Sequence, residues 1–382
     1  MPRRARLSET SETPHSHHAG KLRFRLAFAI LAGLAAPAWA GFVTTNLVTD
    51  DQAANAAQIT DPLLRNAWGI SRSAASPFWV SDNATGVTTL YQVDPATNAT
   101  TKRPLTVSIP GDGSVTGQAF ANVAGNFNGD TFLFVSEDGT VSGWRAALGA
   151  TAETLKAGSP ANVYKGSADA NIGGNVYLYA ANFAAGTIDV IKGNAGAPDL
   201  TGSFVDPGIP AGFAPFDIAN LNGKLYVTYA LRNGKDDVAG PGNGFVSVFD
   251  LQGNFLGRVA SQGTLNSPWG LAIAPSSFGE FAGSLLVGNF GDGTINAFDT
   301  GTNMFLGQLM GSDDKPLVID GLWGLIAGNG GQGGSTQSIY FAAGPSDETH
   351  GLFGAIAVPE PGTLALLFVG VAGLGLSRRR PN

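Results

Sequence analysis

The 382-residue chain has no cysteine and only four histidines. Without cysteine it can form no disulfide, thiol nucleophile or Cys-zinc site. His15, His17 and His18 fall near the start, which leaves His350 alone in the rest of the chain and removes the commonest hydrolase and multi-His metal designs. Basic residues are scarce too. Of 22 Lys and Arg and 29 Asp and Glu, the first 40 residues take six and two and the last 25 take three and one. Residues 41–357 keep 13 and 26, a net charge of −13. Such a body offers no basic footprint to phosphates, so nucleic acid is not an expected partner, while cations and neutral polymers stay open.

The two apolar runs worth noting lie at the ends. Lys21, Arg23 and Arg25 precede a run from Leu26 to Ala36, and Ala38-Trp39-Ala40 places small residues at both cleavage-site positions before Gly41. This is the pattern of a secretory signal peptide over 1–40. Arg3-Arg4 stands too far upstream of the run for twin-arginine export, so general secretion is expected. At the other end, Val358-Pro359-Glu360-Pro361-Gly362 breaks any helix, residues 364–376 are apolar, and Ser377 is followed by Arg378, Arg379 and Arg380. Thirteen residues make roughly 20 Å of helix, short of the roughly 30 Å hydrocarbon core. Such a segment suits brief insertion in the inner membrane with its arginines on the cytoplasmic side.

The order of turn, apolar run and basic stop resembles the PEP-CTERM sorting signal of exported Gram-negative bacterial proteins. The resemblance implies processing near Pro359-Glu360-Pro361 by an exosortase-type transpeptidase, then display at the cell surface or in the extracellular matrix. A plain short C-terminal anchor is the other reading of these residues.

Between the ends the sequence repeats. Ser267-Pro268-Trp269-Gly270-Leu271-Ala272-Ile273 is followed by Ser284 to Asn289 and Gly293 to Asp299, short apolar stretches punctuated by Gly, Asn and Asp. That is the signature of consecutive antiparallel strands. Alignment on the residue after the tryptophan gives Gly69, Gly117, Gly166, Asp217, Gly270 and Gly324, at intervals of 48, 49, 51, 53 and 54. Six units of this length predict an all-β, six-bladed propeller of four-stranded antiparallel blades over 41–357, with blades starting near 64, 112, 161, 212, 265 and 319. Outer strands are expected at 105–109, 203–205, 255–259 and 305–309. Blade six has no room for its own outer strand, so the apolar stretch 42–48 is expected to supply it and close the ring. The units are similar to NHL repeats in Pro-x-Gly-Leu-Ala and Val-x-Asn-x-x-x-Gly-x-Ile, and the whole resembles an uncharacterised family of PEP-CTERM propellers.

The residues before the marker position are Trp68, Thr116, Lys165, Phe216, Trp269 and Trp323. With Asp82, Glu137, Asn182 and Asn289 at the ends of the second strands, they should surround one mouth of the central channel. Aromatics beside acids and amides suit a carbohydrate face or a cation site, which makes Trp68, Lys165, Phe216, Trp269 and Trp323 the candidate ligand-binding set. The bland alternative has the tryptophans wedged between blades and the Asp and Asn side chains capping hairpins.

Six-bladed lactonases and phosphotriesterase-like hydrolases hold calcium at this mouth, and similarity to them would make Asp82, Glu137, Asn182, Asp217 and Asn289 the metal ligands. That branch often places its ligands as Asn-Gly or Asp-Gly; here Trp68, Trp269 and Trp323 stand before the glycine. The expected function is therefore an exported binding or scaffolding propeller, with exopolysaccharide or another surface protein as partner and no certain cofactor. A calcium-dependent hydrolase is the alternative. Asp236-Asp237, in the Gly-rich insertion 233–244, reads as a solvated loop, and so does His350.

Overall fold

The computed structural model describes residues 41–359. The expected signal-cleavage residues Ala38 and Ala40, the apolar segment 364–376, and Glu360, Pro361 and Arg378 to Arg380 lie outside the described residues. Among the described residues no helix is long and apolar enough to cross a membrane.

The chain is an all-β propeller of six blades. Blade one runs from the axis outward as Ala67–Ser71, Phe78–Asp82, Val87–Val93 and Thr100–Ser108. Blade two is Val115–Phe120, Phe132–Ser136, Val141–Trp144 and Glu153–Lys156; blade three is Tyr164–Ile172, Asn175–Asn182 and Thr187–Lys192. Blade four is Phe213–Leu221, Lys224–Asn233, Gly244–Phe249 and Phe255–Ser261, and blade five is Pro268–Ile273, Leu285–Asn289, Ile295–Phe298 and Phe305–Gln308. Blade six takes Leu322–Ala327, Ile339–Ala343 and Leu352–Ala357 from the end of the body, and its outer strand, Val43–Thr49, from the beginning. Val43 opposes Ala357 and Thr49 opposes Leu352, antiparallel, as the stretch 42–48 predicted. A two-residue strand, Ile59–Thr60, adds in parallel beyond it.

The core lies between blades because each strand sends alternate side chains to its two neighbours. In blade one, Phe78 and Val80 pack with Tyr340 and Phe353 of blade six, while Trp79 faces Phe132, Phe134 and Trp144 of blade two. Trp79 stacks on Phe132 with centroids 3.9 Å apart.

One irregularity recurs in every blade. The pairing of inner and second strands slips by one residue between Ala67 and Ile70, Val115 and Gln118, Tyr164 and Ser167, Pro215 and Asp217, Pro268 and Leu271, and Leu322 and Leu325. These are β-bulges, and each contains the marker position or abuts it. The marker glycine is driven against the inner strand of the next blade. A Cβ on Gly69 or Gly117 would come 2.5 Å from the backbone of Thr116 or Ser167, and one on Gly324 would come 2.6 Å from the Trp68 carbonyl.

The structure differs from expectation at three places. Residues 203–205 form no strand on blade three: Phe204 takes φ 55° and packs on Tyr179 and Phe249, and its N–H bonds the Gly253 carbonyl of blade four. Aromatic burial between blades has drawn the segment away from its own sheet. Blade two gains Glu153–Lys156, a short polar strand without the apolar alternation that would announce it. The Asp236–Asp237 segment folds back to pair with Arg232 and Asn233.

Leu47 is fully buried on the closing strand, whereas Thr44 is exposed. Leu47→Ala should cost about 2–5 kcal/mol by denaturant unfolding, and Thr44→Ala less than about 0.5 kcal/mol. Equal, small effects would show that this strand does not hold the ring closed.

Candidate functional site

The bulges aim the residue before each marker position toward the axis. There Trp68, Trp269, Trp323 and Phe216 meet, all less than 5% exposed. Trp323 is sandwiched between Trp68 at 3.6 Å and Phe290 at 3.8 Å, Trp269 stands edge-on to Trp68 and Trp323, and Phe216 contacts Trp323 and Phe183. The aromatics expected to ring an open mouth instead fill it as a plug, because six short inner strands pinned together at glycine leave a channel only a few side chains wide. Phe183 and Phe290 were not singled out from the sequence, although each follows an Asn that ends a second strand, in a repeated Asn-Phe pair.

Over the plug lies a polar rim to which every blade contributes. Lys165 of blade three, 3% exposed, holds its Nζ 2.5 Å from Glu137 Oε1 of blade two and 5.0 Å from the centre of the Trp68 ring. Asn83 donates to Glu137 at 3.3 Å, and Asn66 donates to Asn83 at 3.2 Å and to Glu348 of blade six at 2.6 Å. Asp237 of blade four and Ser267 of blade five complete the set, the serine hydroxyl beside the carboxyl. Burial raises the Glu348 carboxyl, opposed by Asn66 and Lys165 and reinforced by Glu137 and Asp237. Burial raises Asp237 as well, against Ser267 and Lys165. The Nε1 atoms of Trp68, Trp269 and Trp323 and Asn66 Oδ1 are buried without a protein partner.

The backbone is strained at the same place. Asn66 and Ser267, each two residues before a plug tryptophan, have φ of 48° and 45°, and glycine fills the equivalent place at Gly321. Ser346, Asp347 and Glu348 form a run of three non-glycine residues at φ 59°, 53° and 62°. Each such residue costs about 1–2 kcal/mol, and strain of this kind gathers where the surroundings hold a side chain in place for use. Asp237 and Glu348 were not among the expected site residues. Asp237 read as a solvated loop, and Glu348 had no motif around it.

The five expected metal ligands do not come together. Asp82 points between blades six and one, toward Thr89, Tyr91 and Asp61, and burial pushes its carboxyl well above the usual range. Asn182 is spent on hydrogen bonds with Val163, Ala185, Asn162 and Asp189, and Asn289 on Asn266, Thr264, Asp292 and Thr294. Glu137 belongs to the rim. Asp217 lies below the plug, in a chamber of about 290 Å³ along the axis. Among the described residues no three His, Asp or Glu side chains are grouped to hold a metal ion. His350 bonds Asp50 at 3.1 Å and ties the loop after Ala343 to the closing strand.

Comparison with known proteins bears on both parts of the chain. Residues 357–380 match the PEP-CTERM protein-sorting motif. The chain is 33% identical over 323 residues to uncharacterized protein R648 of Acanthamoeba polyphaga mimivirus, across 79% of this chain and 77% of that protein. It is 38% identical over 202 residues to uncharacterized protein L690 of the same virus, about half of each. Among solved structures, a mutant alpha-L-arabinofuranosidase from Fusarium graminearum in complex with an iminosugar inhibitor aligns with TM-score 0.52 over 83% of this chain and 98% of that one. At 10% identity this likeness shows the fold alone.

The chamber also holds Asp169, whose carboxyl burial raises to about 7. A carboxyl raised on folding binds its proton more tightly in the folded state, so stability is highest at low pH and falls as pH rises from about 4, the unfolded value, through 7. The shift corresponds to at most about 4 kcal/mol. The melting temperature should drop between pH 5 and pH 8, and Asp169→Asn should flatten that drop; an unchanged slope in the variant would contradict the assignment.

Proposed function

The chain belongs to the same protein family as the mimivirus protein R648, and we propose that it is a surface-displayed binding propeller whose polar rim takes a hydroxyl-rich ligand such as an exopolysaccharide. The PEP-CTERM motif marks it for export, exosortase processing and sorting to the cell surface. Release into the extracellular matrix fits the same handling.

One observation carries the binding reading: six blades bring Asn66, Glu137, Lys165, Asp237, Ser267 and Glu348 together over an aromatic plug, with buried donors and acceptors that have no protein partner. Buried polar groups are nearly always paired, so a polar ligand that supplies the missing partners gains their hydrogen bonds in a low-dielectric setting. The rim offers both signs of hydrogen-bonding group and one cation against three carboxyls. That balance suits sugar hydroxyls better than a phosphate or a bare metal.

A calcium-dependent hydrolase at the mouth would need Asp82, Glu137, Asn182, Asp217 and Asn289 to converge. They occupy an interblade core, the rim, two hairpin caps and the lower chamber.

Two measurements test the reading on the body, residues 41–359, within which all six blades close. Affinity electrophoresis in gels containing dextran or alginate should retard the wild type, and Lys165→Met and Glu348→Gln should lose at least half of the retardation while still melting cooperatively. The melting temperature should be the same in EDTA and in millimolar calcium. No retardation together with a rise of several degrees in calcium would replace binding with the hydrolase.

A further inference from the structure

The chamber beneath the plug is separate from the rim, and its chemistry is different. Trp269 is among the residues that close it above, and its walls are the lower halves of the inner strands, including Ser71, Gln118, Ser167, Asp169, Asp217 and Asn220. Asp217 is 7% exposed and is the one residue with a side chain at the six marker positions. Its carboxyl rests against the bare Gly166 of the neighbouring blade. Burial raises this carboxyl well above the usual range, opposed by the backbone N–H of Ile218. Ser167 Oγ, also on the wall, is buried without a partner.

The titratable groups facing this space are mainly carboxyls, and burial raises both Asp169 and Asp217 above the usual carboxylate range, so each gains when a bound cation lets it ionise. Asp169 and Asp217 have no side-chain partner. The one basic residue on the wall, Arg72, directs its guanidinium at backbone carbonyls, those of Ala327 at 2.7 Å, Gly328 at 3.1 Å and Ser73 at 3.3 Å. Gln118 is likewise used up, bonded to Ser71, Gly69 and Ser81. What remains is a pair of unpaired carboxyls below an indole, in a space that holds a ligand of a few heavy atoms.

We propose that the chamber binds a small organic ammonium ion, with Asp217 and Asp169 supplying the counter-charge and Trp269 a cation–π surface. A desolvated cation is attracted electrostatically to an indole ring. The alkyl groups of an organic cation also suit the apolar walls at Ile70, Leu271, Leu325 and Ile326, which a hydrated sodium ion does not. The inference stands apart from the rim and its polysaccharide: either can fail without the other.

The test is calorimetric titration of the propeller with choline chloride at constant ionic strength, against sodium chloride and against 3,3-dimethyl-1-butanol, the neutral isostere of choline. Choline should bind saturably and perturb the Trp269 indole N–H resonance, and the alcohol should bind at least tenfold more weakly. Asp217→Asn should weaken choline at least tenfold and Asp169→Asn at least threefold. If Asp217→Asn fails to melt cooperatively, Asp169→Asn decides. Absence of saturable choline binding, equal binding of the neutral isostere, or unchanged affinity in the folded variants would overturn the proposal.

Discussion

Each inner strand bulges once, at or beside a marker position that is glycine in five blades of six, and this bulge sets how closely the blades approach at the axis. The extra residue turns the side chain before the glycine into the channel and presses the glycine onto the next strand, with no room for a methyl group at Gly69, Gly117, Gly270 or Gly324. The contacts run from Gly69 to blade two, from Gly117 to blade three, from Gly166 to blade four, from Gly270 to blade six and from Gly324 back to blade one. The aromatic plug follows from this girdle: a channel so narrow is filled by four large side chains at the positions the bulges aim inward.

The plug in turn divides the axis into two compartments. Above it, loops from all six blades hold a strained rim in which Lys165 pairs with Glu137 and its charge opposes the effect of burial on Glu348 and Asp237. Below it, the chamber has unpaired carboxyls and little else that titrates. The departure from six-fold repetition links the two: where blade four carries Asp217 instead of glycine, the girdle gains a carboxyl, and the same blade sends Asp237 to the rim through its insertion.

The fold was legible because it is written six times. The spacing of Gly69, Gly117, Gly166, Asp217, Gly270 and Gly324, and the orphan strand at 42–48, were enough to give blade number and ring closure. What repetition could not show was depth. A tryptophan before a glycine reads the same whether it lines a mouth or plugs it, and the answer depended on the bulge and on how little space the glycines leave. Asn182 and Asn289 carry the pattern of hairpin caps and of ligands alike, and the hydrogen bonds in the structure assign them to caps. Asp237 reads as a solvated loop and Glu348 carries no motif because both sit outside the repeat, in an insertion and in a loop whose left-handed backbone no short motif announces. Phe204 escaped for the opposite reason: its apolar stretch looked like one more strand, and packing against blade four overrode it.

If the girdle is the constraint on which plug, rim and chamber depend, added bulk there should be far more damaging than the same change elsewhere. The direct measurement is the unfolding free energy of Gly117→Ala and Gly324→Ala beside Gly301→Ala, whose added methyl would make only ordinary contact, 3.5 Å from Asp299. The account predicts losses of about 1–3 kcal/mol or more at Gly117 and Gly324 and a change within about 0.5 kcal/mol at Gly301. Girdle variants as stable as the wild type would contradict it.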